Sequence, residues 1–215
     1  MNLKKNLESV KKNITNQTLI IATKYVDSAE IYELYQLGIR DFGENRVADM
    51  LRKKIALNEL PIRWHFIGHL QSNKVRQVIN HIDVLHSLDS LKLAEQIQKE
   101  RHGLIECFIE IKLTDEPNKT GILPSELHAF VQSIGKYDII KIVGLMGMAE
   151  ANGEASKIRQ SFEFLRSLRD EIRDSHIPYA PCEFLSMGMS DDYLIAIKCG
   201  TTHLRLGSII FRSEE

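Results

Sequence analysis

Lys24 closes the run Leu19-Ile20-Ile21-Ala22-Thr23, and a lysine at the carboxyl end of an apolar strand is either a solvated loop residue or a held amine. Strand alternation puts it on the side of Ile20 and Ala22, opposite Ile21. If that side is the inside of a barrel, the amine faces the barrel mouth. Desolvation or a nearby cation there favours the neutral form, a Schiff-base nucleophile. Arg205 shares a strand face with His203 and opposes Leu204 and Leu206. If the leucines pack on helices, the guanidinium points inward and needs an acceptor, because an unpaired buried charge costs several kcal/mol. Glu110 or a neutral ring nitrogen would serve.

Two Gly/Ser loops add a second kind of chemistry. Leu185-Ser186-Met187-Gly188-Met189-Ser190-Asp191-Asp192 opens a helix, and Arg205-Leu206-Gly207-Ser208 ends the last apolar run. Backbone amides at a helix start, with a serine hydroxyl, make an anion site; the other reading is an ordinary turn with a serine cap. Asp191 and Asp192 suit the helix dipole but would repel an anion, so they are expected to point outward. Asn45, after Phe42-Gly43-Glu44, is either a helix cap or a fixed amide able to bond a ring hydroxyl or imine. His65 and His69 straddle a strand end with no third ligand at metal spacing, so zinc is set aside.

Positioning these residues requires a regular scaffold. Apolar runs at Leu19–Thr23, Ile39–Phe42, Ile62–Phe66, Val84–Ser87, Ile105–Ile111, Ile139–Gly144, Glu183–Ser186 and His203–Leu206 predict eight strands. Helical spacing separates them. Leu3, Leu7, Val10 and Ile14 predict an extra helix before the first strand. Asp27 and Glu30 form a capping-box pattern ahead of Ile31, Leu34 and Tyr35. Pro124 begins a helix burying Leu127, Phe130, Val131 and Ile134, and Ala155 to Ile172 carries the clearest amphipathic pattern. The alternation predicts an α/β protein with a parallel sheet, best met by a single (β/α)8 TIM barrel spanning residues 1–215. An open doubly wound sheet is the alternative, weakened by the lack of GxGxxG after the first strand.

Bulk properties narrow the class. The 215 residues are 43% hydrophobic and 27% charged with a net charge of −1, which offers no footprint for nucleic acid or an anionic membrane. The three cysteines form neither a CxxC pair nor a disulfide framework. With no apolar leader or spanning run, a cytoplasmic protein without nucleic-acid or membrane partners is expected.

Taken in order, Ile21-Ala22-Thr23-Lys24, Phe42-Gly43-Glu44-Asn45, Trp64-His65-Phe66-Ile67-Gly68-His69-Leu70-Gln71-Ser72-Asn73-Lys74, the loop Leu185–Asp192 and Arg205-Leu206-Gly207-Ser208-Ile209-Ile210-Phe211 resemble the YggS/PROSC family, the pyridoxal phosphate homeostasis proteins. Lys119-Thr120-Gly121 and Gly144-Leu145-Met146 also match. The resemblance implies a fold-type III barrel similar to the N-terminal domain of alanine racemase, with pyridoxal 5'-phosphate as cofactor. By position, Lys24 resembles the Schiff-base lysine. Ser190 and the amides of Gly207 and Ser208 resemble the phosphate cradle, and Arg205 resembles the partner of the pyridine nitrogen. Ala22, Asn45 and Met187 match cofactor-lining positions. The departures are a somewhat short N-terminal region and Arg212 after Phe211, where glycine is common.

An arginine, always a donor, requires an unprotonated pyridine nitrogen, and that makes the ring a weak electron sink. A racemase compensates with a base on each face of the substrate. Lys24 supplies one. In alanine racemase the other is a tyrosine from a second domain, which is not read here, and Tyr25 is expected to point away from Lys24. The resemblance therefore implies a monomeric binding protein that holds the cofactor reversibly, limits free aldehyde and passes it to apo-enzymes by transient contact. The alternative is an amino-acid racemase. Exposed lysines such as Lys74 and Lys119 are further amines able to bind cofactor transiently.

Overall fold

The computed structural model describes residues 2–114 and 120–213. The chain begins with helix α1 (Leu3–Lys11), then alternates: β1 (Thr18–Ala22), α2 (Ser28–Gln36), β2 (Asp41–Glu44), α3 (Val47–Ala56), β3 (Arg63–Phe66), the short α4 (Val75–Val78), β4 (Val84–Leu88), α5 (Leu91–Glu100) and β5 (Ile105–Ile111). It continues through α6 (Leu127–Ile134), β6 (Ile140–Gly147), α7 (Ala155–Asp174), β7 (Phe184–Ser186), α8 (Tyr193–Lys198), β8 (His203–Leu206) and α9 (Ser208–Phe211). All strand pairs are parallel, and β8 pairs with β1, so the sheet closes into the expected eight-stranded barrel.

Local chemistry accounts for the boundaries. Glu30 Oε2 accepts the Asp27 amide at 3.0 Å in the capping box of α2. That helix ends at Gly38, whose φ of 91° is the left-handed conformation glycine adopts without penalty. The Ile39 amide then reaches back to Leu34 O and the Gly38 amide to Tyr35 O, a Schellman closure. Ile39 is thus the apolar residue that seals the helix end, and β2 starts at Asp41 rather than at Ile39 as the apolar run suggested. Pro124 opens a 3-10 turn, and α6 follows it, burying the four expected residues.

Alternation divides the core in two. Ile21, Phe42, Trp64, Phe66, Leu204 and Leu206 join the large cluster between barrel and helices. The opposite face fills the barrel: Val84, Phe108, Val143 and Met146 form a separate apolar plug. Above and beside that plug the interior is polar, with His65, His86, Ser186, His203 and Arg205 all buried.

Candidate functional site

The reactive residues gather at the carboxyl ends of β1, β2, β7 and β8, the face where barrels of this kind place chemistry. Lys24 follows β1 by two residues and is exposed, its Nζ 4.8 Å from the centroid of the Tyr25 ring. In β1, Ile21 packs on the helix side and Ile20, on the other side, lies against the position a Cβ of Gly43 would take; Lys24 stands beyond the strand with its amine beside the Tyr25 ring, so the two side chains do not point opposite ways as expected. Beneath Lys24 lies a feature the sequence did not reveal. Lys53, from α3, forms a fully buried ion pair with Glu44 at the end of β2. Lys53 Nζ also donates to Thr23 O at 2.7 Å, and Thr23 Oγ1 donates to Glu44 Oε1 at 2.6 Å. The residue before Lys24 is therefore pinned to the end of β2 by a buried charge pair. In the sequence Lys53 looks like any lysine on an amphipathic helix.

Arg205 points into the barrel, as its alternation with two leucines implied, and is 5% exposed. Its acceptors were not anticipated. Nη1 donates to Ser186 O at 2.7 Å and to Ser186 Oγ at 2.5 Å, and Nη2 donates to Gly147 O at 3.3 Å. Glu110, the expected partner, instead accepts from Thr120 Oγ1 at 3.1 Å. Hence among the described residues no carboxylate touches the guanidinium, whose pKa burial lowers to about 10 while Asp192 and Glu110 act on it only at longer range. Burial in turn raises the pKa of the Glu110 carboxyl.

At the loop after β7, Ser190 Oγ accepts from the amides of Gly207 at 3.3 Å and Ile209 at 3.2 Å. Ser190 thus holds the residues on either side of Ser208, which is exposed at the start of α9. Gly207 lies so close to β1 that a Cβ there would stand 3.1 Å from Ala22 O. Ala22, Ser190 and Gly207 thus share one corner, two residues from Lys24.

Two expectations need correction. Asp191 points outward to Arg212 at 3.5 Å, but Asp192 does not. It is buried, its Oδ1 accepts the Met189 amide at 2.6 Å, and burial raises its pKa. The carboxylate spends its charge holding the loop after β7 in shape. Met187 is fully buried in the cluster between barrel and helices, because one residue past the inward-facing Ser186 the side chain turns outward.

Asn45 makes no cap bond to α3, whose N-cap is Arg46. Its Oδ1 is buried without a partner. An orphaned amide oxygen is expensive unless a ligand group meets it. Beside it lies a groove of about 530 Å³ lined by Arg46, Leu51, Phe66, Leu70 and the exposed Lys74. Lys119 falls outside the described residues. His65 is buried inside the barrel while His69, at the mouth, pairs with Asp89 at 2.9 Å, so the two histidines serve different regions.

The donors fit an aromatic phosphate. Ser190 and two amides suit a phosphate, Arg205 a ring nitrogen, Asn45 a ring substituent and Lys24 an aldehyde. Residues 1–214 match the family model of the alanine racemase N-terminal domain. Pyridoxal phosphate homeostasis proteins are similar over most of their length. That of Aquifex aeolicus is 36% identical over 90% of this chain and 85% of its own, and that of Pasteurella multocida 32% over 100% and 99%. The chain belongs to the pyridoxal phosphate homeostasis protein family. PipY of Synechococcus elongatus, a structure with pyridoxal phosphate bound, superposes with a TM-score of 0.91 at 32% identity, over 98% of this chain and 100% of that one. Alanine racemase from Corynebacterium glutamicum shares the barrel alone, at TM-score 0.80 and 14% identity, over 99% of this chain and 61% of its own. Among the described residues of this homeostasis-family chain, no helix is long and apolar enough to cross a membrane.

Proposed function

We propose that this chain holds pyridoxal 5'-phosphate as a Schiff base on Lys24, buffers the free aldehyde and hands the cofactor to apo-enzymes, without turning over an amino acid. The bond forms when the Lys24 amine condenses with the aldehyde and one water leaves; hydrolysis reverses it with no other reactant. Exposure of Lys24 favours both directions, since water and competing amines reach the linkage freely. Ser190 and the amides of Gly207 and Ser208 bind the phosphate, in the corner that the Ser190 hydroxyl holds together, and Asn45 Oδ1 meets a donor on the ring or its linkage.

The observation that carries the reading is Arg205. When bound, the cofactor supplies an electron-accepting ring whose strength depends on protonation of its nitrogen. A buried guanidinium held by neutral acceptors presents donors only, so it binds that nitrogen in its unprotonated, weakly accepting form. Tyr25, adjacent to Lys24, is 85% exposed with its ring against the Lys24 amine, so it offers no base on a face opposite Lys24. The test is an absorbance spectrum of the protein with added pyridoxal phosphate, before and after borohydride. The wild type is expected to show a visible band that reduction abolishes and fixes on Lys24, and Lys24→Ala is expected to show none. No band in the wild type would refute binding, and sustained turnover of a D- or L-amino acid would refute the non-catalytic part.

A further inference from the structure

Five buried or half-buried polar side chains run in a line through the barrel from its amino-terminal end to Arg205. Asp41, the first residue of β2, bonds His65 Nε2 at 2.9 Å from Oδ1. His65 Nδ1 lies 2.9 Å from His86 Nε2, and His86 Nδ1 lies 2.9 Å from Ser186 Oγ. Ser186 Oγ is the atom that meets Arg205 Nη1. The line thus crosses the barrel from β2 through β3 and β4 to β7 and β8.

With both histidines neutral and Asp41 ionised, only one arrangement of protons satisfies every link. A guanidinium has no lone pair to offer, so Ser186 Oγ accepts from Arg205. The single hydroxyl proton then goes to His86 Nδ1, which must be bare, and His86 carries its proton on Nε2. His65 Nδ1 accepts that proton in turn, so His65 is protonated on Nε2, where the Asp41 carboxylate accepts. Reversing the links between His65 and Ser186 would need an imidazolium at His65, with a proton on each ring nitrogen. Every proton therefore points away from Arg205, and the line ends on an anion whose side chain is 23% exposed at the opposite end of the barrel. Chains of this kind polarise their members, making Ser186 Oγ a better acceptor than an isolated hydroxyl. Burial agrees: it lowers the pKa of His65 despite the nearby Asp41, and lowers that of His86 still further, with His65 and Arg205 adding to the effect. His86 is also clamped by stacking on Phe108, with ring centroids 4.4 Å apart.

We propose that Asp41, His65, His86 and Ser186 form a one-way hydrogen-bond chain that positions Arg205, with both histidines locked as neutral Nε2–H tautomers. The chain leaves the positive charge of Arg205 unneutralised and fixes which N–H groups remain free to face a ligand ring. The histidines and Ser186 are positioning residues, acting through Arg205. Their effect on the cofactor rests on the reading of Arg205 given above; the tautomers do not.

The experiment has two arms. In cofactor-free protein with 15N-labelled histidine, long-range 1H–15N correlation spectra at pH 7 are expected to show His65 and His86 as neutral Nε2–H forms. An Nδ1–H tautomer or an imidazolium at either position would overturn the chain. In the second arm, His86→Leu and Ser186→Ala are loaded with 15N-pyridine-labelled pyridoxal phosphate. Each is expected to move the pyridine nitrogen resonance and weaken binding about tenfold, equal to about 1.4 kcal/mol. His86→Gln, whose amide can accept from Ser186 and donate to His65, is expected to restore both readouts. Ser186→Ala, a smaller change, covers the case in which His86→Leu does not fold. Should the wild type form no reducible bond at Lys24, the cofactor reading fails while the tautomer arm still decides the chain. Should all variants trap cofactor at Lys24 with unchanged affinity and an unchanged pyridine resonance, the positioning role is overturned.

Discussion

The β1–β2 corner and the β7–β8 corner sit at the same mouth but are built in opposite ways. At the first, the functional group is free and its support is rigid: Lys24 is exposed, while the ion pair of Lys53 and Glu44 beneath it is fully buried. At the second, the functional group itself is fixed. Arg205 is buried, bonded to β7 and to β6, and backed by a line of histidines. On the proposed function Lys24 forms and breaks a bond with an incoming aldehyde, and that needs access. A group that only recognises a ring nitrogen works best when its geometry is set beforehand.

Acid is the broadest way to separate the two corners. His65, His86 and His203 are buried neutral on the fixed side, and burial brings the pKa of His203 down to about 3. Between their unfolded value of about 6.5 and their folded values, the unfolded chain binds more protons, so stability falls as pH falls. Each histidine contributes up to about 1.4 kcal/mol per pH unit in that window. Glu110 and Asp192, with pKa values raised by burial, bind protons more readily when folded and oppose part of this loss. Urea unfolding at pH 7, 6 and 5 is expected to show a midpoint that falls steadily, and a pH-independent midpoint would contradict the buried neutral histidines.

Lys53→Met attacks the rigid support of the other corner. It leaves Glu44 buried without its cation, with an expected loss of about 3–5 kcal/mol, read as a lower urea midpoint at pH 7. Arg205→Leu gives the reverse pattern. Its partners are neutral acceptors, so the fold is expected to tolerate an apolar replacement. Cofactor binding should weaken by about 2 kcal/mol, roughly thirtyfold, in a titration followed by absorbance. The smallest change is Ser190→Ala. Losing the hydroxyl that meets two amides is expected to weaken binding by about 1 kcal/mol while the yield of borohydride trapping at saturating cofactor stays at the wild-type level. If Ser190→Ala weakened binding more than Arg205→Leu, the ranking of phosphate against ring recognition would have to be inverted.

Much of the scaffold could be read from local pattern. The apolar runs located all eight strands to within a few residues; the largest difference is at β6, which runs on to Gly147, and the shift at Ile39 arose where an apolar residue seals a helix end instead of entering a strand. Lys24, Ser190, Arg205 and Gly207 could be named because each ends or follows an apolar run, where barrel chemistry sits. Asp192 was misjudged because it lies six residues past β7, at the start of α8, where no strand period fixes direction.

What the sequence determined alone was the order and type of elements and the strand face on which Arg205 lies, since both follow from periodicities of a few residues. Closure of the barrel, the Lys53–Glu44 pair and the line from Asp41 to Arg205 were decided only in three dimensions. His86 and Ser186 stand 100 residues apart, and no local period links them. They meet because β4 and β7 lie across one closed interior, where each buried polar group must find a partner or forfeit its hydration.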